Sequence, residues 1–159
     1  MKQKLLLFSL VSILLVGLLI AGCAPATPPG QAIILKYADQ NPEVGWSGEH
    51  AAKPWLKQIE DATKGAVKIE AYFSQALFKG ADAWESVKAG QSDIAWCFHG
   101  YWANLTTLAD VVALPFLGIH SGAAGGEILW KLYEKFPSIQ KQFADNKTLL
   151  VWTTSPYYL

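Results

Sequence analysis

The side chains able to bind or react gather in a few short stretches. Trp96-Cys97-Phe98-His99-Gly100-Tyr101-Trp102 sets four aromatics, a thiol and an imidazole within seven residues. Such rings can form a cleft wall that stacks on a ligand of apolar or ring character, with Tyr or His supplying a hydrogen bond. The plainer reading makes Trp96 and Phe98, which share one side of a strand by its period of two, ordinary core residues. Tyr101 and Trp102 lie past the glycine, where a cleft wall and core packing are both open to them. Gln40 and Asn41 bring amides to Asp39-Gln40-Asn41-Pro42-Glu43-Val44-Gly45-Trp46, although Asn, Pro and Gly there equally suit a turn. Trp46 adds a further ring. Lys79 either meets a ligand or is solvated, and Tyr157 and Tyr158 either donate hydroxyls to a carboxylate or pack against further protein.

None of these stretches completes a catalytic motif. Gly45-Trp46-Ser47-Gly48-Glu49 is one residue from a nucleophile elbow but has Glu49 where glycine is required, and it follows a loop. Asp39 to Glu43 echoes the start of a calcium loop, yet Val44 stands at the turn glycine and His50 at the bidentate acid. The glycines at 122–126 lack the Lys-Ser/Thr of a phosphate loop. Cys97 and His99 are two possible metal ligands without a second pair. No enzyme activity, metal or cofactor is implied.

Charge narrows the partners. The chain holds 13 basic and 13 acidic residues in 159, and every basic one is lysine. Without arginine there is no guanidinium fork to clamp a carboxylate or phosphate. Lys2 and Lys4 precede Cys23 and all the acids follow it, so the remainder is slightly acidic; no basic surplus is left for nucleic acid. Residues 1–22 read as an export signal, a short positive start followed by the apolar run Leu5 to Ile20. At ~1.5 Å per residue that run reaches only ~24 Å, short of the ~30 Å bilayer core. Leu19-Ile20-Ala21-Gly22-Cys23 resembles the bacterial lipobox, which implies lipidation of Cys23. The Pro-rich stretch 23–31 reads as a tether. With Cys23 lipidated, Cys97 has no disulfide partner.

Several elements must position the binding residues. Ile33 to Ala38 reads as a buried strand. Ser47 is expected to cap a helix through Trp55, Leu56 and Ile59, with Pro54 kinking it or moving its start to about Lys53 and Lys64-Gly65 ending it. Val67, Ile69 and Ala71 alternate with Lys68 and Glu70 as a half-buried strand. A helix is expected over Gly80 to Ala89, then strands at Asp93 to Phe98 and Leu108 to Phe116. A glycine-rich stretch from Gly118 leads into a helix with Ile128, Leu129, Leu132, Tyr133 and Phe136 on one face. An amphipathic piece after Pro137-Ser138 and an apolar strand at Thr148 to Trp152 follow. This alternation predicts an α/β fold with a mostly parallel sheet flanked by helices. Ligands in such sheets sit outside the carboxyl ends of the strands, which nominates the loops Asp39 to Trp46, Ser74 to Gly80, Phe98 to Leu105 and Thr153 to Tyr158.

Four of these segments carry a family resemblance. Ile34-Leu35-Lys36-Tyr37-Ala38, the stretch Gly65 to Leu77, Val87-Lys88-Ala89-Gly90-Gln91-Ser92-Asp93-Ile94-Ala95 and Ala113-Leu114-Pro115-Phe116-Leu117 resemble, in order and spacing, the extracytoplasmic solute receptors of tripartite ATP-independent periplasmic (TRAP) transporters, the DctP family. The resemblance covers about Ile33 to Leu159. It implies a periplasmic binding protein type II-like fold, with residues 32–159 as a truncated first lobe and the second lobe largely missing. It further implies a small organic acid as ligand, membrane permease subunits as partners, and a place on the extracytoplasmic face, anchored by lipid at Cys23. By this resemblance Gln40 or Asn41 supplies a ligand-binding amide and Lys79 a polar contact. Two departures stand out. Ser74 and an extra Ala76 replace a proline-containing loop, and a tyrosine near 158 stands where many members carry arginine. A receptor for an ATP-driven importer is the alternative; an exported enzyme or a structural surface lipoprotein is more distant.

Overall fold

The computed structural model describes residues 32–154. The expected signal and tether, Cys23, Tyr157 and Tyr158 lie outside the described residues.

Three strands form one parallel sheet in the order β2-β1-β3. Central β1 spans Ile33–Ala38 and pairs along its whole length with β2, Val67–Tyr72, in the register Ile33 with Val67 through Ala38 with Tyr72. Strand β3, Ile94–Ala95, joins only the last two residues of β1, Tyr37 and Ala38. Burial follows the pairing. Ile33 and Ile34 are 60% and 59% exposed, whereas Tyr37 and Ala38 are both 3% exposed. The expected strand over Asp93 to Phe98 thus shrinks to two residues, and β1 is buried only toward its carboxyl end. β2 shows the expected alternation as far as Glu70, with Val67 and Ile69 half-buried and Lys68 and Glu70 exposed, but Ala71 is exposed as well.

Helix α1, Lys53–Ala62, begins where Pro54 requires, since proline fits the first helical turn. A π-helical turn, Gly48–Ala52, precedes it. Ser47 does not cap, contrary to expectation. Its backbone is already helical at φ −65 and ψ −44, and its side chain makes no cap hydrogen bond; a capping residue holds extended geometry instead. Lys64 and Gly65 end the helix in left-handed geometry at φ 51 and φ 78. The expected second helix is split into a 3-10 turn, Gly80–Asp82, and α2, Ala83–Lys88, with Gly90 at φ 73.

Two expected strands are absent. Leu108 to Phe116 is mostly a 3-10 helix, Thr107–Ala113. Thr106 and Ala109 are 0% exposed and Val112 is half-buried, a recurrence of three that suits 3-10 geometry and not a strand. Thr148 to Trp152 carries no regular secondary structure and no ladder to a described strand, and Leu149 and Leu150 remain 54% and 61% exposed. It is placed instead by α3, Gly122–Lys135. That helix starts inside the glycine-rich stretch, because the Ser121 hydroxyl accepts the Ala124 N–H at 3.2 Å and caps it. Its glycines give the close approach. A Cβ on Gly125 would collide with Thr153 Oγ1, and one on Gly126 would stand 3.2 Å from Trp152 Cα. Helix α4, Pro137–Gln142, follows directly.

The core has two clusters. Leu129 of α3, Ile139 of α4 and Phe143 pack with Ala83, Trp84, Trp102 and Ala109. Tyr37, Ala52, Leu56 and Phe73 form the other, between the sheet and α1, with Trp96 packed against it. Gly126→Val should cost about 1–3 kcal/mol, because a branched side chain cannot enter against the Trp152 backbone. Exposed Lys131→Ala on the same helix should stay within about 0.5 kcal/mol. Urea unfolding of both variants measures the difference.

Candidate functional site

The carboxyl end of β1 is organised by a residue that pattern reading passed over as loop. Asp39 is 2% exposed. Its Oδ2 accepts the Tyr37 hydroxyl at 2.7 Å, and its Oδ1 accepts both the Asn41 backbone N–H and the Asn41 Nδ2, each at 2.8 Å. Its backbone N–H donates to the Tyr72 carbonyl at 2.8 Å, and its own carbonyl accepts the Gln75 N–H at 3.1 Å. The Asp39 carboxylate therefore fixes the turn at the end of β1, while its backbone ties that turn to the end of β2 and to the loop beyond. Burial, reinforced by the Asp39 hydrogen bond, pushes the Tyr37 phenol far above its usual range, so it remains a donor.

The neighbouring loop is held in unusual backbone geometry. Ser74 and Gln75 are left-handed at φ 56 and φ 62, a region uncommon for residues with a Cβ. The bonds that impose it come from Asp39 and from the Asn41 carbonyl, which accepts the Ser74 N–H at 2.9 Å. Gln75 Oε1 then accepts the Gly80 N–H at 2.9 Å. Gln40 lies on the far face of Gly80, so close that a Cβ there would collide with its amide oxygen. That oxygen is buried and has no hydrogen-bond partner; an orphaned buried acceptor is costly unless a ligand or a turned amide satisfies it.

A third loop closes the pole. Residues His99–Trp102 form a 3-10 turn after β3. Trp102 is buried against Trp84 at 5.7 Å between ring centroids, and its indole N–H donates to the Ala81 carbonyl at 3.0 Å. Phe98 and Tyr101 stay 42% and 51% exposed. Their rings meet edge to face at 5.5 Å and 86°. His99 Nε2 lies 3.1 Å from Asp110 Oδ1, linking the turn to the next 3-10 helix. Gln40 and Asn41 thus sit on the first loop and Phe98, Tyr101 and Trp102 on the third, with the segment at Gly80 and Ala81 touching both, Gly80 against Gln40 and Ala81 against Trp102. Lys79 is exposed beside Gly80. Trp46 stands 77% exposed and tilted against His50.

A cavity of about 440 Å³ runs beside β3. Its lining includes Ile94 to Cys97, Phe98, His99, Trp102 and Thr148 to Trp152. Cys97 opens into this trough as an exposed residue, yet protein surrounds its sulfur on most sides. Burial of the thiol, with the Asp39 charge adding, pushes it up to about 12. Among the described residues no group of three or more His, Cys, Asp or Glu could hold a metal ion.

The strand-end rule nominates the loop Asp39 to Trp46 and the resemblance singles out Gln40 and Asn41 within it, but neither points to Asp39 as the acid that holds Asn41. The available signal was an aspartate two residues before an asparagine at a strand's end, the spacing of an Asx-type turn.

The chain is similar in sequence and in fold to known proteins. The profile of DctP, bacterial extracellular solute-binding protein, family 7, matches residues 40–141. The outer membrane transporter protein TsaT of Comamonas testosteroni is 29% identical over 120 residues, 75% of this chain and 33% of that protein. The chain therefore spans about a third of that relative's length. A TRAP periplasmic solute-binding protein from Desulfovibrio salexigens superposes with a TM-score of 0.63 at 28% identity, covering 70% of this chain and 34% of that one. A marine-metagenome TRAP solute-binding protein specific for aromatic acid ligands, crystallised with metahydroxyphenylacetate, superposes at 0.72 with 25% identity, covering 78% and 38%. Such matches make the sheet and loops above a type II periplasmic binding protein arrangement.

Cys97 reports on Asp39. Because the folded thiol titrates near 12 and not at its usual 9.0, iodoacetamide at pH 8 should alkylate it far more slowly than an unperturbed thiol, and the rate should climb as pH rises toward 12. Asp39→Asn removes the negative charge, lowers the thiol's pKa and should speed alkylation at pH 8. Mass spectrometry of timed samples checks both, and an unchanged rate in the variant would remove Asp39 from the electrostatics of the trough.

Proposed function

The chain belongs to the DctP family, bacterial extracellular solute-binding protein, family 7, and on that premise we propose that it is part of an extracytoplasmic receptor that captures a small organic acid and delivers it to the permease subunits of a TRAP-type secondary transporter. The observation that carries this reading is that loops follow the carboxyl ends of three parallel strands, the first holding Gln40 and Asn41 beside buried Asp39 and the third holding the exposed Phe98 and Tyr101 rings. A related protein of this fold holds metahydroxyphenylacetate, a carboxylate.

The role is binding. Strand-end amides and hydroxyls orient the acid, rings cover its apolar part, and Lys79 lies near enough in sequence to the pole to offset its charge. Ligand contacts favour a closed arrangement of the whole receptor, and that closed state is what a permease would recognise. Residues 1–22 act as the export signal, residues 23–31 as the tether, and residues 32–159 as most of one lobe. Cys23 carries the lipid that keeps the receptor at the extracytoplasmic membrane face. An ATP-driven importer remains the alternative partner, decided by the permease genes that accompany this one.

Thermal unfolding of the full-length receptor tests the reading. A ligand that binds only the folded state stabilises it by RT ln(1 + L/Kd), about 2.7 kcal/mol at a hundredfold excess over Kd. The melting temperature should rise with the logarithm of acid concentration and stay unmoved by the matching amide. No response to any of a broad set of organic acids would refute it. Separately, Cys23→Ser should shift the protein from the membrane fraction to the soluble fraction; equal membrane retention would rule out the anchor.

A further inference from the structure

We propose that the trough beside β3 is a slot for one further β-strand, supplied by the receptor's own polypeptide from outside residues 32–154. This goes beyond the solute-binding reading and does not depend on which acid is bound.

The slot follows from where the backbone hydrogen bonds go. β3 ends the described sheet, paired with β1 and with no other described strand. Residues 148–152 are apolar enough for a strand, yet among the described residues no backbone N–H or C=O from 147 to 154 bonds to another backbone group. Both segments line the same cavity of about 440 Å³. Backbone donors and acceptors shielded by apolar side chains need partners. An extended polypeptide brings alternating N–H and C=O groups to two such segments at once, whereas a small molecule in the same space would satisfy one or two and leave the others unpaired.

The side chains agree with the backbone. Leu149 and Leu150 are both more than half exposed on the unpaired segment. The buried Trp84 indole N–H belongs to a lining residue and has no hydrogen-bond partner among the described residues. A strand laid along the trough takes apolar surface of the leucines out of water and offers the indole a carbonyl.

The lining also says why the strand belongs to the same polypeptide. Tyr37 comes from one core cluster and Trp84, Trp102 and Phe143 from the other, and all four line the trough. An occupant that came and went would bare both clusters to water at each exchange. A strand tethered by the chain is instead held at an effective concentration on the order of millimolar, so it stays. The trough is then part of the fold, and the acid is left to the loops at the strand ends.

Hydrogen exchange read residue by residue by NMR, on the full-length receptor purified alone and without added acid, tests this. Successive amides of a strand point to opposite neighbours. Alternate amides among residues 148–152 should therefore exchange at least about a hundredfold more slowly than in an unstructured peptide. Their nuclear Overhauser contacts should run to backbone protons of residues outside 32–154. All five amides exchanging at the unstructured rate would overturn the slot, as would protected amides whose cross-strand contacts all lie within 32–154. Protection that appears only as protein concentration rises assigns the strand to a second copy, and protection that appears only on adding permease subunits assigns it to them; either result overturns the intramolecular source. None of these outcomes touches the solute-binding reading, which the thermal titration with acids decides.

Discussion

The first two loops at the carboxyl ends of the strands depend on keeping one carboxylate out of water. Asp39 is buried and among the described residues forms no ion pair with a lysine or histidine, a position that costs several kcal/mol unless hydrogen bonds replace the lost hydration. Three donors do so: the Tyr37 hydroxyl, the Asn41 backbone N–H and the Asn41 side-chain amide. Because these donors come from β1 itself and from the first residues after it, the strand can turn only one way at its end. The backbone of Asp39 then holds Tyr72 and Gln75, so the direction of that turn passes to the second loop and, through Gly80 and Gln40, toward the third.

Glycine makes this chain of contacts short enough to be rigid. Gly80 admits the Gln40 amide, Gly100 admits the Phe98 ring, and Gly125 and Gly126 admit Thr153 and Trp152. At Gly80, Gly125 and Gly126 the missing Cβ is replaced by a side chain or backbone from another segment, and at Gly100 by a ring from the same loop. Glycine inside a helix ordinarily weakens it by about 1 kcal/mol relative to alanine. In α3 that loss is offset by packing against a segment that has no ladder to hold it. The aromatic stack extends the same rigidity outward, from buried Trp84 through Trp102 and Tyr101 to exposed Phe98.

The periodic elements were legible. β1, β2 and the start of α1 lie where alternation and Pro54 placed them, and Gly65 and Gly90 stand in left-handed geometry as helix-ending glycines. Misreadings came from segments whose hydrophobicity has no clear period. Leu108 to Phe116 and Thr148 to Trp152 are both apolar enough for strands. Their backbone conformation was decided by neighbours far along the chain: Gln142 accepting the Leu108 N–H, and α3 pressing on Trp152. Ser47 shows the same limit at one residue, since a capping side chain is useless where the preceding turn is already helical.

The sequence by itself determined the class of molecule. Parallel strand–helix alternation, the absence of arginine and the cluster of rings after β3 are properties of residue order and type, which depend on no distant contact. The tertiary structure decided which of those residues form one site. Gln40, the Gly80–Ala81 pair and the turn from Phe98 to Trp102 lie far apart in the sequence, and no local rule links them. They meet because β1 pairs with strands on both sides and brings three loops to one end. Asp39 became visible as the hub only there, since hydrogen bonding to a buried group depends on where the chain returns and not on the residues beside it.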